Sequence, residues 1–381
     1  MGPLVIVGTG LAGYNLAKEW RKLDTARELI LLTADDGRNY SKPMLSTGFT
    51  KAKTADELAM ANAETMASQL NAKILTKTHL ASINTHDRVL TLSDGSSLPY
   101  GDLVLACGAD VIRVPLEGDG LDLVYSVNDL EDYARFRNAI QGKKNIVIMG
   151  AGLIGCEFAN DLSNGGFKVD VVDPIGRCLP ALLPEQASAA VQKGLEGLGV
   201  TFHMGPLVKA VNKTSNGVAV SLSDGAVLEA DIVVSAIGLR PRVQIAKEAG
   251  IQVNRGIVVN KALHTSVTHV YALGDCAEVE GHVMLYVLPL MACARALAKT
   301  LAGEFAEVAY PPMPVAVKTP VCPVVVSPVP QGLIGEWQIE ADGQNVKATF
   351  RDENGNLRGF ALTGEATAQK NALTKELPSI F

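Results

Sequence analysis

The apolar residues of this chain form short β-branched runs that alternate with amphipathic stretches, the pattern of an α/β fold. Pro3-Leu4-Val5-Ile6-Val7 is the first run and predicts a strand. Gly8-Thr9-Gly10-Leu11-Ala12-Gly13 follows without a gap. Residues 14–23 then read as a helix with Leu16, Ala17, Trp20 and Leu23 on one face. Leu29-Ile30-Leu31-Leu32-Thr33 is a second strand, and Asp35 stands just past its end. Strand, G-x-G-x-x-G, helix, strand and acid in this order make a dinucleotide-binding fingerprint. Gly8 permits the tight turn, Gly10 lets the backbone approach a pyrophosphate, and Gly13 lets helix and strand pack closely. The helix N-terminus offers free N–H groups and partial positive charge to a diphosphate. Asp35 can accept hydrogen bonds from ribose hydroxyls.

The pattern recurs in the middle of the chain. Asn145-Ile146-Val147-Ile148-Met149 is a strand, Gly150-Ala151-Gly152-Leu153-Ile154-Gly155 is a second G-x-G-x-x-G, and residues 155–164 continue as a helix. Val169-Asp170-Val171-Val172 is the next strand, ending at Asp173. Two complete copies mean two dinucleotides or one duplicated fold, and the first is the sharper reading. Asp173 would accept ribose hydroxyls and repel a 2′-phosphate, which favours NADH over NADPH; Arg177, four residues on, softens that preference. Each copy is followed by hairpin strands and a buried strand closing on small residues. These closing strands are residues 103–109 and residues 231–238, the latter ending at Gly238 before Leu239-Arg240-Pro241.

Between these units the pattern is less regular. Arg38 to Gly48 reads as a loop, with Ser46-Thr47 opening a short helix. Residues 54–70 read as one helix, 73–83 as a strand, and 110–143 as a connector with one helix around Asp129–Ile140. Tyr271-Ala272-Leu273-Gly274-Asp275 delivers an acid from a strand end into a loop before a helix at about 289–302. Residues 311–381 differ: Pro-rich segments lead to strands near 336–340, 345–351 and 357–362 and a short helix at 365–375.

With 381 residues the chain is too long for one core, and its 48% hydrophobic content and 36 glycines suit an α/β enzyme. The net charge of −6 argues against a nucleic-acid binder. No apolar run approaches the about 20 residues needed to span a bilayer. A first strand at residue 3 leaves no room for a signal peptide, so a cytoplasmic protein is expected. The six cysteines form no C-x-x-C or C-x-x-x-x-C and read as small buried apolar residues. The six histidines show no metal-ligand spacing, and no metal site is expected.

Taken together, these motifs resemble the two-dinucleotide flavoprotein reductases of the pyridine nucleotide-disulfide oxidoreductase type. The resemblance covers essentially the whole chain. It implies an α/β fold with two Rossmann-like domains and a small α+β C-terminal domain. The FAD-binding domain would be discontinuous, 1–112 and 239–312, with an NAD-binding domain at 113–238 and a C-terminal interface domain at 313–381. It is strongest to the bacterial branch that reduces rubredoxin, through Tyr40 to Gly48, Tyr286 to Arg295 and Val317-Lys318-Thr319-Pro320.

That resemblance implies a site. Gly8, Thr9, Gly10, Leu11, Ala12 and Gly13, with Thr33, Ala34, Asp35 and Leu80, would hold the ADP part of FAD. Asp275 would bind the ribityl chain, and the helix beginning near Val287 would point at the diphosphate. Gly150, Gly152, Leu153, Ile154, Gly155, Asp173 and Gly238 would hold NADH. Glu157 would reach the nicotinamide–flavin junction, with Lys42 as its expected partner. Lys42 stands where relatives carry an arginine, Lys318 where they carry a tryptophan, and Thr47 where they carry a lysine. Lys42, Glu157 and Lys318 are the expected catalytic residues, the lysines by stabilising negative charge on reduced flavin. Lys318 follows the apolar run Val315-Ala316-Val317, where a charge needs a partner.

The segment that carries a redox cysteine in peroxide reductases of this family reads Leu45-Ser46-Thr47-Gly48, and threonine cannot form a sulfenic acid. Electrons would therefore leave through the flavin itself, one at a time. Rubredoxin, a small acidic iron protein, is the implied recipient, and the resemblance suggests alkane hydroxylation or an oxidative-stress role as the use. Arg295, Lys299, Lys318, Lys370 and Lys375 are candidate docking cations. A reductase serving a ferredoxin of an oxygenase system, or an FAD/NADH-binding redox sensor, are the alternatives. A monomer or weak oligomer is expected.

Overall fold

Two five-stranded parallel sheets dominate the chain, alike in the order of four strands and differing in where the fifth comes from. The computed structural model describes residues 2–381. In the first sheet the strand order is Val270–Ala272, Asp102–Leu105, Leu4–Val7, Leu29–Leu32 and Lys73–Leu75. In the second it is Val124–Tyr125, Ile232–Ser235, Asn145–Met149, Lys168–Asp173 and Thr201–Met204. Parallel strands covered on both faces carry continuous apolar runs. Leu4, Val5 and Ile6 are fully buried, as are Ile146, Val147 and Ile148. Each sheet is accompanied by a three-stranded antiparallel hairpin sheet, from Leu80 to Pro99 and from Val208 to Ala230. The chain crosses between the units through an antiparallel pair, Ala109–Val111 with Leu239–Pro241.

The C-terminal sheet is antiparallel, ordered Val315–Val317, Val324–Ser327, Leu357–Thr363, Asn345–Asp352 and Gly335–Asp342. Its apolar face shares one core with the second unit. Val317, Cys322, Val324, Val346 and Ala348 pack in the same cluster as Ile148, Cys156 and Leu195.

Several local expectations are corrected. Residues 54–70 are not one helix. Thr54 caps a short turn, Ala55–Leu58, in a reciprocal capping box with Glu57. Strand Ala59–Ala61 then pairs with Asn39–Tyr40 before Asn62 caps a second helix, Ala63–Leu70. The first fingerprint helix is Leu11–Arg21, so Leu23 lies beyond its end and is half exposed. Residues 73–83 form two strands, Lys73–Leu75 and Leu80–Asn84. The connector supplies strand Val124–Tyr125 to the second sheet as well as the helix Leu130–Ala139. No helix among the described residues is long and apolar enough to cross a membrane.

Candidate functional site

The two glycine loops are built alike. Gly8 and Gly150 take φ of +117° and +103°, a region that penalises any side chain. A Cβ at Gly13 would run into the carbonyl oxygen of Gly8, and one at Gly155 into that of Gly150. Gly10 and Gly152 differ: a Cβ there would meet nothing within 4 Å, so the approach to each loop is open. These two glycines are also the N-caps of helices Leu11–Arg21 and Leu153–Asn164, and no side chain caps either helix. First-turn N–H groups left uncapped at an open helix start are anion receptors.

The first loop opens into a cleft of about 360 Å³. One end is formed by Thr33, Ala34, Asp35 and Leu80, the other by Lys42, Asp275, Arg242 and Leu290. Asp35 is aimed by its neighbours: Oδ1 accepts from Thr33 Oγ1 at 2.7 Å, Gly37 N at 2.8 Å and Thr9 Oγ1 at 3.3 Å. Its Oδ2 has no hydrogen-bond partner among the described residues and is free to accept a hydroxyl. At the other end Lys42 Nζ donates to Asn128 Oδ1 at 2.8 Å and lies 3.9 Å from Asp275 Oδ2. Burial lowers the pKa of Lys42, with Asp275 opposing that shift, and burial raises the Asp275 carboxyl, with Lys42 opposing.

Gly13 lies behind the loop, buried, rather than on the cleft wall, and Val287 is outside the wall as well, 38% exposed at the start of helix Val287–Leu301. Leu290, one turn on, occupies the wall instead. Cys107 also departs from expectation. The other five cysteines are buried, but Cys107 is half-buried on the cleft wall. Its thiol is held above the usual range by the neighbouring Cys276 thiol and by burial, so it stays protonated.

Asp173 is placed differently from Asp35. It is 5% exposed, and both oxygens already accept backbone N–H groups, Ala151 at 2.7 Å and Ile175 at 2.8 Å. Its first task is to hold the second glycine loop in shape. Arg177 Nη2 meets the Pro180 carbonyl at 3.3 Å. Gly238 takes φ of +123° at the end of the strand beside that loop.

The expected pairing of Glu157 with Lys42 is wrong. Glu157 is 1% exposed and its cation is Lys318, with Nζ 2.5 Å from Oε2. The Lys318 backbone N–H donates to Oε1 at 2.9 Å, and Ser46 Oγ donates to Oε2 at 2.6 Å. The reason is position: Lys42 points into the first cleft, whereas Lys318 enters from the C-terminal sheet beside the second fingerprint helix. Lys318 is absent from the wall of the first cleft, whose cations are Lys42 and Arg242. Sequence reasoning missed Arg242, Asn128 and Ser46. Arg242 Nε binds Asp110 Oδ1 at 2.6 Å, and Nη1 binds the Cys107 carbonyl at 3.0 Å. It follows the Leu239-Arg240-Pro241 stretch by one position, a signal within reach; Asn128 carries none, and Ser46, read as opening a short helix, lies near the end of the 3-10 helix Lys42–Thr47.

Residues 2–296 match the family model for pyridine nucleotide-disulphide oxidoreductases. The chain belongs to that family. Residues 307–377 match a second model, described as a rubredoxin binding C-terminal domain. A rubredoxin-NAD(+) reductase from Alcanivorax borkumensis is 62% identical over the full length of both chains. One from Acinetobacter baylyi is 46% identical, over 100% of this chain and 99% of its own. Among solved structures of the family's fold, a ferredoxin reductase from Rhodopseudomonas palustris superposes with a TM-score of 0.88 at 26% identity. That match covers 99% of this chain and 95% of the other. The NADH:rubredoxin oxidoreductase of Clostridium acetobutylicum shares the fold, with a TM-score of 0.83 at 19% identity over 99% and 96% of the two chains.

Proposed function

We propose that this chain is an FAD-dependent reductase that takes hydride from NADH and passes electrons singly to rubredoxin. The observation that carries the reading is the joint at Glu157. There the helix of the second open glycine loop is bonded to Lys318, inside the segment that matches a rubredoxin-binding domain. On this reading the hydride site and the docking module would meet at one ion pair, with Glu157 buried and Lys318 half-buried.

The residues fit the two dinucleotides. Uncapped N–H groups after Gly10 and Gly152 would receive the diphosphates. The free oxygen of Asp35 would accept a ribose hydroxyl, and Asp275 the ribityl hydroxyls. Asp173, through Ala151, would keep the second loop open, and its remaining lone pairs would face ribose. Lys42 and Arg242 would supply positive charge at the far end of the cleft. Bound FAD supplies a hydride acceptor that can release electrons one at a time. The chain carries no C-x-x-C or C-x-x-x-x-C pair, and Thr47 occupies the redox-cysteine position, which supports a route without a protein thiol. On this reading residues 1–112 and 239–312 form the FAD unit, 113–238 the NAD unit, and 313–381 the docking unit.

The test is anaerobic stopped-flow mixing of NADH-reduced protein with rubredoxin and with a [2Fe–2S] ferredoxin in parallel. Rapid reduction of rubredoxin and slow reduction of ferredoxin is expected. The reverse order would assign the chain to an oxygenase ferredoxin system. A long-lived reduced protein with both acceptors would make it a sensor.

A further inference from the structure

The second fingerprint helix carries more buried polarity than its packing needs. Glu157, Asn160 and Asp161 lie at i, i+3 and i+4, on one face of helix Leu153–Asn164, and each is at most 2% exposed. Burying such groups is costly unless every one is partnered. Here the partners are main-chain N–H groups of two other parts of the chain. Asp161 accepts from Phe49 N at 3.0 Å and Thr50 N at 2.7 Å. Asn160 Oδ1 accepts from Val321 N at 3.3 Å, and Glu157 from Lys318 N at 2.9 Å. No cation forms an ion pair with Asp161 among the described residues. Its work is to fix backbone rather than to neutralise charge.

The segment that Asp161 grips is the one that reaches the first cleft. Lys42–Thr47 is a 3-10 helix with Lys42 in the cleft and Ser46 on Glu157. From Lys42 to Ser46 is about 8 Å at 3-10 rise. Asp161 lies about 12 Å along its helix from Leu153, the first helical residue of the second glycine loop. The Phe49 ring adds a sideways wedge: it packs 5.7 Å from Tyr133, 5.7 Å from Phe136 and 5.8 Å from Phe167. The Arg137 guanidinium lies 5.0 Å from its centroid. The link between the two dinucleotide loops is thus short and held at fixed main-chain atoms, with its acceptor Asp161 buried and Phe49 half-buried.

We infer that Asp161 is a positioning residue for hydride transfer, with Asn160 doing the same toward the C-terminal sheet. By holding Phe49 and Thr50 it sets the spacing between the second glycine loop and the Lys42 end of the first cleft. This rests on the function proposed above. A misplacement of about 1 Å between reacting groups costs on the order of a hundredfold in rate.

The experiment uses the FAD-loaded full chain and the variants Asp161→Ala and Asp161→Asn. Alanine leaves both N–H groups without an acceptor, whereas asparagine keeps one acceptor oxygen. Hydrogen–deuterium exchange is expected to quicken at Phe49 and Thr50, more in alanine than in asparagine. In anaerobic stopped flow the limiting rate of flavin reduction should fall about tenfold or more in alanine and less in asparagine. Bound FAD, its absorption spectrum and half-saturation by NADH should stay within about twofold of wild type. If alanine fails to fold, the asparagine variant decides alone. Quickened exchange with a wild-type reduction rate overturns the inference, because the contact is then structural only. Unchanged exchange at 49–50 overturns it too, because the grip is then absent. A wild-type chain that NADH does not bleach overturns the proposed function and this inference together. A bleached wild type with unaffected variants overturns this inference alone.

Discussion

Replacing Lys318 by methionine tests whether the C-terminal sheet is fastened to the second unit by charge. The substitution keeps the stem and removes the ammonium 2.5 Å from Glu157 Oε2. Breaking a buried pair by deleting one partner costs about 3–5 kcal/mol when the other is left bare. Glu157 is 1% exposed, but it is not left bare. Ser46 Oγ at 2.6 Å remains, as does the backbone N–H of residue 318 at 2.9 Å. Lys318 itself is 30% exposed, so water already screens part of the attraction. The expected cost is therefore about 2 kcal/mol. For a cooperative unit of about 200 residues this lowers Tm by roughly 4–8 °C. The assay is thermal unfolding of the FAD-saturated protein by far-UV circular dichroism. Wild type, Lys318→Met, Glu157→Gln and the double variant are compared. The double variant should melt well above the sum of the single losses, since neither charge is then buried unpaired. A Lys318→Met melting point within about 1 °C of wild type, or strict additivity in the cycle, would refute the reasoning.

Further outcomes are expected at the glycine loops, at Asp173 and at Asp231. Gly13→Ala should purify without FAD, because the new methyl group meets the Gly8 carbonyl. Gly155→Ala should stay yellow but resist bleaching by NADH, which spectrophotometry of the purified variants reads directly. Wild-type protein should be reduced faster by NADH than by NADPH, and Asp173→Ala should weaken half-saturation by NADH about tenfold, because Ala151 and Ile175 lose their acceptor; a wild-type preference for NADPH would overturn the assignment. The Asp231 carboxyl sits below the usual range: burial alone would raise it, but the N–H groups of Asn145 and Lys144 outweigh that. A depressed folded-state pKa contributes stability at neutral pH that is lost as pH falls through it, below about 4. Asp231→Asn should flatten that acid limb in a pH series of urea melts, and an unchanged limb would sink the idea.

What the chain determined on its own is local. A glycine loop, its helix and the two flanking strands lie within about 30 residues, and their backbone geometry follows from residue type and spacing. Gly8 and Gly13, and their counterparts Gly150 and Gly155, therefore make the tight turn and the close packing that their spacing implied. The missing cysteine pair was equally plain, because absence of a residue needs no coordinates. What only the tertiary structure decided is which distant groups meet. Glu157 and Lys318 are 161 positions apart, and Asp161 and Phe49 are 112 apart. The apolar run Val315-Ala316-Val317 shows that Lys318 needs a partner, but nothing local says which carboxylate it meets. The choice follows from how the C-terminal sheet joins the core of the second unit, which brings Lys318 to Glu157 and leaves Lys42 in the first cleft. Cys107 was misjudged for the same reason: a small residue at a strand end is buried or cleft-lining according to what packs above it. Side-chain chemistry is written along the chain, but its pairing is set by the packing of whole modules.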